Sequence, residues 1–244
     1  MSRTLDEVIE DLSYGSLSNL AIGNSGEGSI PLAKQNQITH LINRGLTKLH
    51  SRFVLYQREL FIRVLEGVSM YPLIVEASTS YVDLLGYAPS LKYIIDDEEA
   101  PFPADVIRIL EAWKPHPCNN SEILQIGVND PQADDSVFTP ASDVIQISGG
   151  KAEDIYQFMY QANHYKLLPN VGQQIIYLPD ALYEALEHYV AYKMFSAMNG
   201  EEHKINSAAH LASYNAVLQT NIDLDLVREV PVYTNRKLED RGFK

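Results

Sequence analysis

Seven histidines, a lone cysteine and a run of four acids are the residues of this chain whose types could do chemistry. His188 follows Glu184 by four positions and His210 follows His203 by seven, and both spacings put the paired groups on one helical face. Two such groups can begin a metal site. Protein metal sites, however, take three or more ligands with supporting carboxylates, so a polar helix surface is the favoured reading. Asp96-Asp97-Glu98-Glu99 crowds four carboxylates together. A calcium loop spaces its ligands at alternate positions around a glycine that is missing here, which favours a solvated turn. Cys118 lies among Pro115, His116 and Pro117. As the only cysteine it excludes an internal disulfide and any zinc site built on paired cysteines, and no reactive-thiol signature surrounds it.

The motif search returns little else. Gly23-Asn24-Ser25-Gly26-Glu27-Gly28 matches neither a dinucleotide fingerprint nor a Walker loop, and Gly149-Gly150-Lys151-Ala152 lacks the upstream glycine and the hydroxyl that a phosphate cradle needs. There is no nucleophile elbow and no His-Glu-x-x-His pattern. Scattered acids never single out the pair that a glycosidase requires. The residues therefore lead us to expect no enzyme, no cofactor and no metal. What the chain does have is 15 tyrosines against one tryptophan. Tyrosine offers a large rigid contact area with a polar tip, which favours an interaction protein.

Charge narrows the partners. The 244 residues carry a net charge of −13, which argues against wrapping nucleic acid but suits a wall past which DNA must slide. The close of the chain departs from this balance. Residues 228–244 hold five basic and three acidic residues, a net +2, leaving −15 on the rest. No apolar run reaches the roughly 18 residues of a membrane span, and Met1 to Glu7 has no apolar stretch of a signal peptide. These features predict a protein made and kept in the cytoplasm during assembly.

The elements that must position these residues follow from periodicity. Thr4-Leu5-Asp6-Glu7 is a capping box, and Leu5, Val8, Ile9 and Leu12 continue it as a helix to about residue 13. Residues 15–31, with four glycines and four serines, read as a surface loop. A second helix is predicted over 34–52, with Ile38, Leu41, Ile42, Gly45 and Leu49 on one face, and Gly45 marks a close helix contact. Leu60–Leu65 and Val68–Tyr71 around Glu66-Gly67 read as a β-hairpin. Tyr81–Leu85 reads as a short helix. Strands are expected at 106–110, 123–126, 144–147 and 156–160. Helices return from 180 to 198 and from 202 to 222. In the last, Ile205, Ala208, Ala212 and Ala216 form a packing stripe that lets the two helices approach closely as an antiparallel pair.

The fold class is thus α+β. Residues 1–55 and 179–227 are expected to form an antiparallel helical bundle from the N- and C-terminal helices. Residues 56–178 are expected to form an inserted small β-sandwich or barrel-like region, and 228–244 an extended C-terminal arm.

Several segments together resemble the head-to-tail adaptor (head-tail connector) proteins of short-tailed, podovirus-type bacteriophages. They are Leu41-Ile42-Asn43-Arg44-Gly45-Leu46 running on to Arg52-Phe53, then Gly67-Val68-Ser69-Met70-Tyr71-Pro72-Leu73, then Leu178-Pro179. Ala185 to Phe195, His210 to Tyr214, and Thr234-Asn235-Arg236 through Arg241-Gly242-Phe243 complete the set. In order they span residues 4–244, with 76–170 adding little.

The resemblance implies a structural virion protein in the neck of the particle, assembled in the host cytoplasm as a homo-oligomer, a dodecamer in this family. The ring would bind beneath the portal protein, join it to a tail tube or nozzle protein, and line the channel for genomic DNA during ejection. It implies no enzyme and no membrane partner. Tyr233, Asn235, Arg236, Lys237, Arg241 and Phe243 would be the arm's contacts with the portal or a neighbouring subunit. Two other classes stand beside it: a tail-associated hydrolase with paired carboxylates, and a binding module that recognises a host surface or carbohydrate through an aromatic platform for which Trp113 is the one tryptophan.

Overall fold

The computed structural model describes residues 2–18, 32–82, 91–116, 119–133, 135–169 and 171–229. In chain order it contains β1 (Arg3–Thr4), α1 (Leu5–Tyr14), α2 (Leu32–Arg52), β2 (Gln57–Arg63) and β3 (Met70–Pro72). A single 3-10 turn, Val75–Ala77, leads to β4 (Ile94–Ile95), β5 (Val106–His116), β6 (Asn119–Val128), β7 (Ser136–Ala141) and β8 (Val144–Ile147). Then come β9 (Ile155–Ala162), β10 (Ile175–Ile176), α3 (Asp180–Ser196) and α4 (Glu201–Asp223). The protein is α+β, the described residues holding four helices and a large curled mixed sheet.

The chain divides into two units, a helical one made of the residues through Leu55 and from Lys166 onward, and a β unit from Tyr56 to Tyr165. Residues 166–178, expected among the strands, belong instead to the helical unit. Leu167, Ile176 and Leu178 enter the helical core, and Asn43 of α2 clamps Leu167, its amide donating to the carbonyl and its oxygen accepting from the N–H, both at 2.9 Å.

In the helical unit Thr4 and Glu7 form the capping box. The Thr4 hydroxyl accepts from the Glu7 N–H at 3.3 Å, and the Glu7 carboxylate accepts from the Thr4 N–H at 2.7 Å. The next free donors of α1, Leu5 N–H and Asp6 N–H, reach the carbonyls of Gln174 and Gly172, so the segment before α3 completes the cap. The Asp6 carboxylate packs directly over Gly172, so a side chain there would require Asp6 to move. Gly45 of α2 meets α3 where a Cβ would lie 2.6 Å from Leu186 Cδ1.

Helices α3 and α4 run antiparallel. Asn221 donates to the Ala181 carbonyl, Ser207 to the Tyr192 carbonyl, and His210 meets His188, so partners descend α3 as α4 rises. The stripe of Ile205, Ala208, Ala212 and Ala216 does not make this contact. Those side chains are exposed, and Ser207, Tyr214, Leu218 and Asn221 face the core instead. The reason is size: Tyr214 and Leu218 fill the groove over Tyr189 and bury far more area than three methyl groups.

The β unit holds eight strands in the order β3-β8-β7-β6-β5-β9-β2-β4. The expected hairpin of 60–65 with 68–71 does not form: β2 pairs with β9 and β4, and β3 pairs with β8. Both edges of β2 find longer-range partners. The Tyr71 hydroxyl holds the intervening turn by accepting from Leu65 N–H and donating to the Val68 carbonyl. At the two ends of this curled sheet, Tyr71 of β3 packs edge-on to Tyr93, just ahead of β4, with ring centroids 5.2 Å apart. Leu60, Ile62, Tyr71, Ile94, Ile145 and Phe158 lie in the resulting core. Strand β7 was not expected. It pairs in parallel with β6, and Asn129 brackets its Thr139 by accepting from the backbone N–H and donating to the hydroxyl.

Candidate functional site

Strand β2 alternates so that Leu60 and Ile62 enter the core while Gln57, Glu59, Phe61 and Arg63 line the outer face. Beside it runs the segment 96–103. Between them lies an open groove of about 910 Å³, with Phe61, Ile95, Pro101 and Phe102 on its walls and Glu59, Asp97 and Glu99 exposed along its rim.

Two polar clusters hold this groove in shape. In the first, Asp96 accepts from the Thr79 hydroxyl (2.9 Å), the Ser80 N–H (2.8 Å), the Ser80 hydroxyl (2.5 Å) and the Phe102 N–H (2.8 Å). Burial pushes its carboxyl up, but these hydrogen bonds win and hold it down at about 2. Asp96 is thus a staple between two loops, while Asp97, Glu98 and Glu99 beside it face solvent. Among the described residues no group of three His, Cys, Asp or Glu side chains is arranged to hold a metal.

In the second cluster Tyr160 donates to Asp105 at 2.9 Å, and the Arg58 guanidinium lies 3.6 Å from the other carboxylate oxygen. Burial raises the Asp105 carboxyl above its usual range, against the pull of Tyr160 and Arg58. The Tyr160 hydroxyl is pushed far up by burial and by Asp105. Arg58 also lies over the Tyr56 ring, 5.0 Å from its centroid. Each group here is engaged by another. Among the described residues Arg58 is the one cation lining the groove, and it is paired with Asp105, so within that set the rim acids are left uncompensated. Chemically, the groove offers an apolar wall and a carboxylate rim, a surface suited to a partner with apolar and basic groups. A smaller cleft of about 240 Å³ lies near Phe138 and Tyr156, beside the Lys114–Asp135 ion pair.

The helical unit brings together histidines that spacing along one helix did not pair. His188 Nδ1 and His210 Nδ1 sit 3.1 Å apart across α3 and α4, and His210 stacks on Phe195 at 5.4 Å. Burial, then the neighbouring His188, lowers the His210 pKa. Glu184 reaches only to 3.8 Å from His188 Nε2. The signal for the cross-helix pair was the antiparallel register, which a single-helix spacing rule does not contain.

Tyr233, Asn235, Arg236, Lys237, Arg241 and Phe243 lie outside the described residues, as do Cys118, the glycine-rich run 23–28, and Asp83, Leu84 and Leu85 of the expected short helix. Trp113, on β5, is half-buried. No helix among the described residues is long and apolar enough to cross a membrane. No protein-family model matches the chain, and no curated protein matches it.

Proposed function

We propose that the chain is a structural virion protein, the head-to-tail adaptor of a short-tailed bacteriophage, acting as a ring of identical copies beneath the portal. In this reading α1 to α4 form an antiparallel bundle that makes the ring wall, the β unit is a sandwich or barrel-like insertion directed at tail components, and residues 228–244 are the arm that engages the portal or a neighbour. The acidic body lines a channel that repels DNA instead of binding it.

The observation that carries the reading is the outer stripe of α4. Ile205, 63% exposed, and Ala208, Ala212 and Ala216 have the helical spacing of a packing face, yet none of the described residues covers them. Leu168, Val171 and Tyr177 of the same unit are also exposed. A neighbouring subunit in a ring would bury such a surface. A second reading, a tail-associated binding module for a host surface or carbohydrate, draws on the open groove of the β unit.

The test mixes purified protein with its cognate portal ring and compares the full chain with one truncated after Val230, by electron microscopy and sedimentation. Rings that form on the portal only with the intact arm establish the adaptor and the arm's role. Binding by both chains keeps the adaptor and removes the arm as anchor. Binding by neither rejects the adaptor and promotes the binding module.

A further inference from the structure

Strand β2 has an unfinished edge. Its even-numbered residues bond toward β9, since the Tyr56 carbonyl accepts from Ala162 N–H and Val64 N–H donates to the Asp154 carbonyl. Its odd-numbered residues therefore direct their backbone the other way, as Arg63 N–H does toward the Tyr93 carbonyl. On that side β4 covers only Phe61 and Ile62. The N–H and carbonyl groups of Gln57 and Glu59 are left without a ladder partner among the described residues, on an exposed stretch that borders the groove. An open edge next to an apolar groove is a template for one more strand.

The chain itself contains a segment with the matching chemistry. Residues 230–244 begin Val230-Pro231-Val232-Tyr233-Thr234, a β-branched and aromatic run, and continue to Arg236 and Lys237. The 15 residues are net +2 and, fully extended, reach ~50 Å. The groove rim carries Glu59, Asp97 and Glu99, and among the described residues its one cation, Arg58, is already paired with Asp105. Pro231 lacks a donor but is tolerated at the start of an edge strand.

Resting on the ring proposed above, we infer that the C-terminal segment of one subunit adds as a strand to the β2 edge of the next, with Val232 to Thr234 against Gln57 to Glu59 and the basic residues after them on the acidic rim. Main-chain bonds at the edge supply the register, and Tyr233 or its neighbours fill the apolar groove. The arm would then link subunit to subunit through the β unit.

Cross-linking of full-length chains tests this. All carry Cys118→Ser. One population carries Glu59→Cys, a second Thr234→Cys, and a control population carries Cys at the exposed Glu66. Mixed Glu59→Cys and Thr234→Cys chains, treated with a short bismaleimide, are expected to give covalent dimers, while the Glu66→Cys pairing does not. Adding Asp97→Lys and Glu99→Lys to the Glu59→Cys chain is expected to lower the yield about tenfold, an effect a chance encounter would not show. A further chain carrying both Glu59→Cys and Thr234→Cys that cross-links only within itself, while the mixed single-cysteine chains give no dimer, would overturn the inference in favour of a fold-back. Equal yields from the Glu59→Cys and Glu66→Cys pairings would also overturn it. Rings on the portal without the cross-link sink this inference and spare the adaptor; the cross-link without portal binding does the reverse.

Discussion

Gly45→Ala is expected to destabilise the helical unit by about 1 kcal/mol, although alanine is the better helix former. The new methyl would lie 2.6 Å from Leu186 Cδ1 and 3.0 Å from Tyr189 Cδ1. Carbon atoms prefer roughly 3.5–4.0 Å, so about 1 Å must be found. Leu186 is fully buried and Tyr189 nearly so, and neither can swing into solvent. Overpacking of this kind costs about 1–3 kcal/mol, against a helix-propensity gain of about 1 kcal/mol. The clash therefore outweighs the gain. Leu186→Ala alone should cost about 2–5 kcal/mol. It also removes the obstructing methyl, so in that background Gly45→Ala should become stabilising, with a coupling of about 1–3 kcal/mol between the two sites. Urea unfolding followed by far-UV circular dichroism reads the helical unit, while Trp113 fluorescence reads β5 and should stay unchanged. A raised urea midpoint for Gly45→Ala in the otherwise natural chain would refute the packing argument, as would strict additivity with Leu186→Ala.

Asp96→Ala is expected to destabilise the β unit by about 2 kcal/mol, discounted for the partial exposure of the side chain, because four donors lose their acceptor. The folded carboxyl sits at about 2, below the roughly 3.9 of an unfolded chain. Its contribution is complete above about pH 4 and lost as pH falls toward 2, so acid titration of the variant, followed by Trp113 fluorescence, should lack that limb. Tyr160→Phe removes the donor to Asp105 and should raise that carboxyl further, at a cost of about 1–3 kcal/mol; carboxyl NMR titration gives the shift. The His210 pKa is lowered in the fold, so the unfolded chain binds more protons below about pH 6.5. Stability of the helical unit is therefore retained above that pH and lost as pH falls. His210→Phe, which keeps the stack on Phe195, should flatten the pH dependence of its melting temperature.

The parts of this molecule that were legible are those encoded by neighbours in the chain. The capping box at Thr4 and Glu7, the α2 face around Gly45, and strands such as Val144–Ile147 each depend on residues a few positions apart, and each forms. What was not legible depends on a partner far along the chain. Leu60–Leu65 and Val68–Tyr71 look like a hairpin locally, but β9 and β4 compete for both edges of β2 and win. Ser136–Ala141, where Pro140 interrupts the local strand pattern, is held by a parallel neighbour and by Asn129.

The same limit explains the candidate site. Asp96 resembles its three acidic neighbours in every local respect. Only the arrival of Thr79, Ser80 and Phe102 makes it a structural acceptor and leaves Asp97 and Glu99 as free rim charge. The α4 stripe inverts the problem. Its period marks a packing face, but Tyr214 and Leu218 occupy the intramolecular contact. A helix that keeps Ile205 and three alanines in packing register, on a side the described residues leave uncovered, carries a pattern that a second subunit would satisfy. The open edge at Gln57 and Glu59 leaves the β unit with an unmet contact of a different kind, one for backbone groups. A ring whose subunits exchange an arm across it would satisfy both.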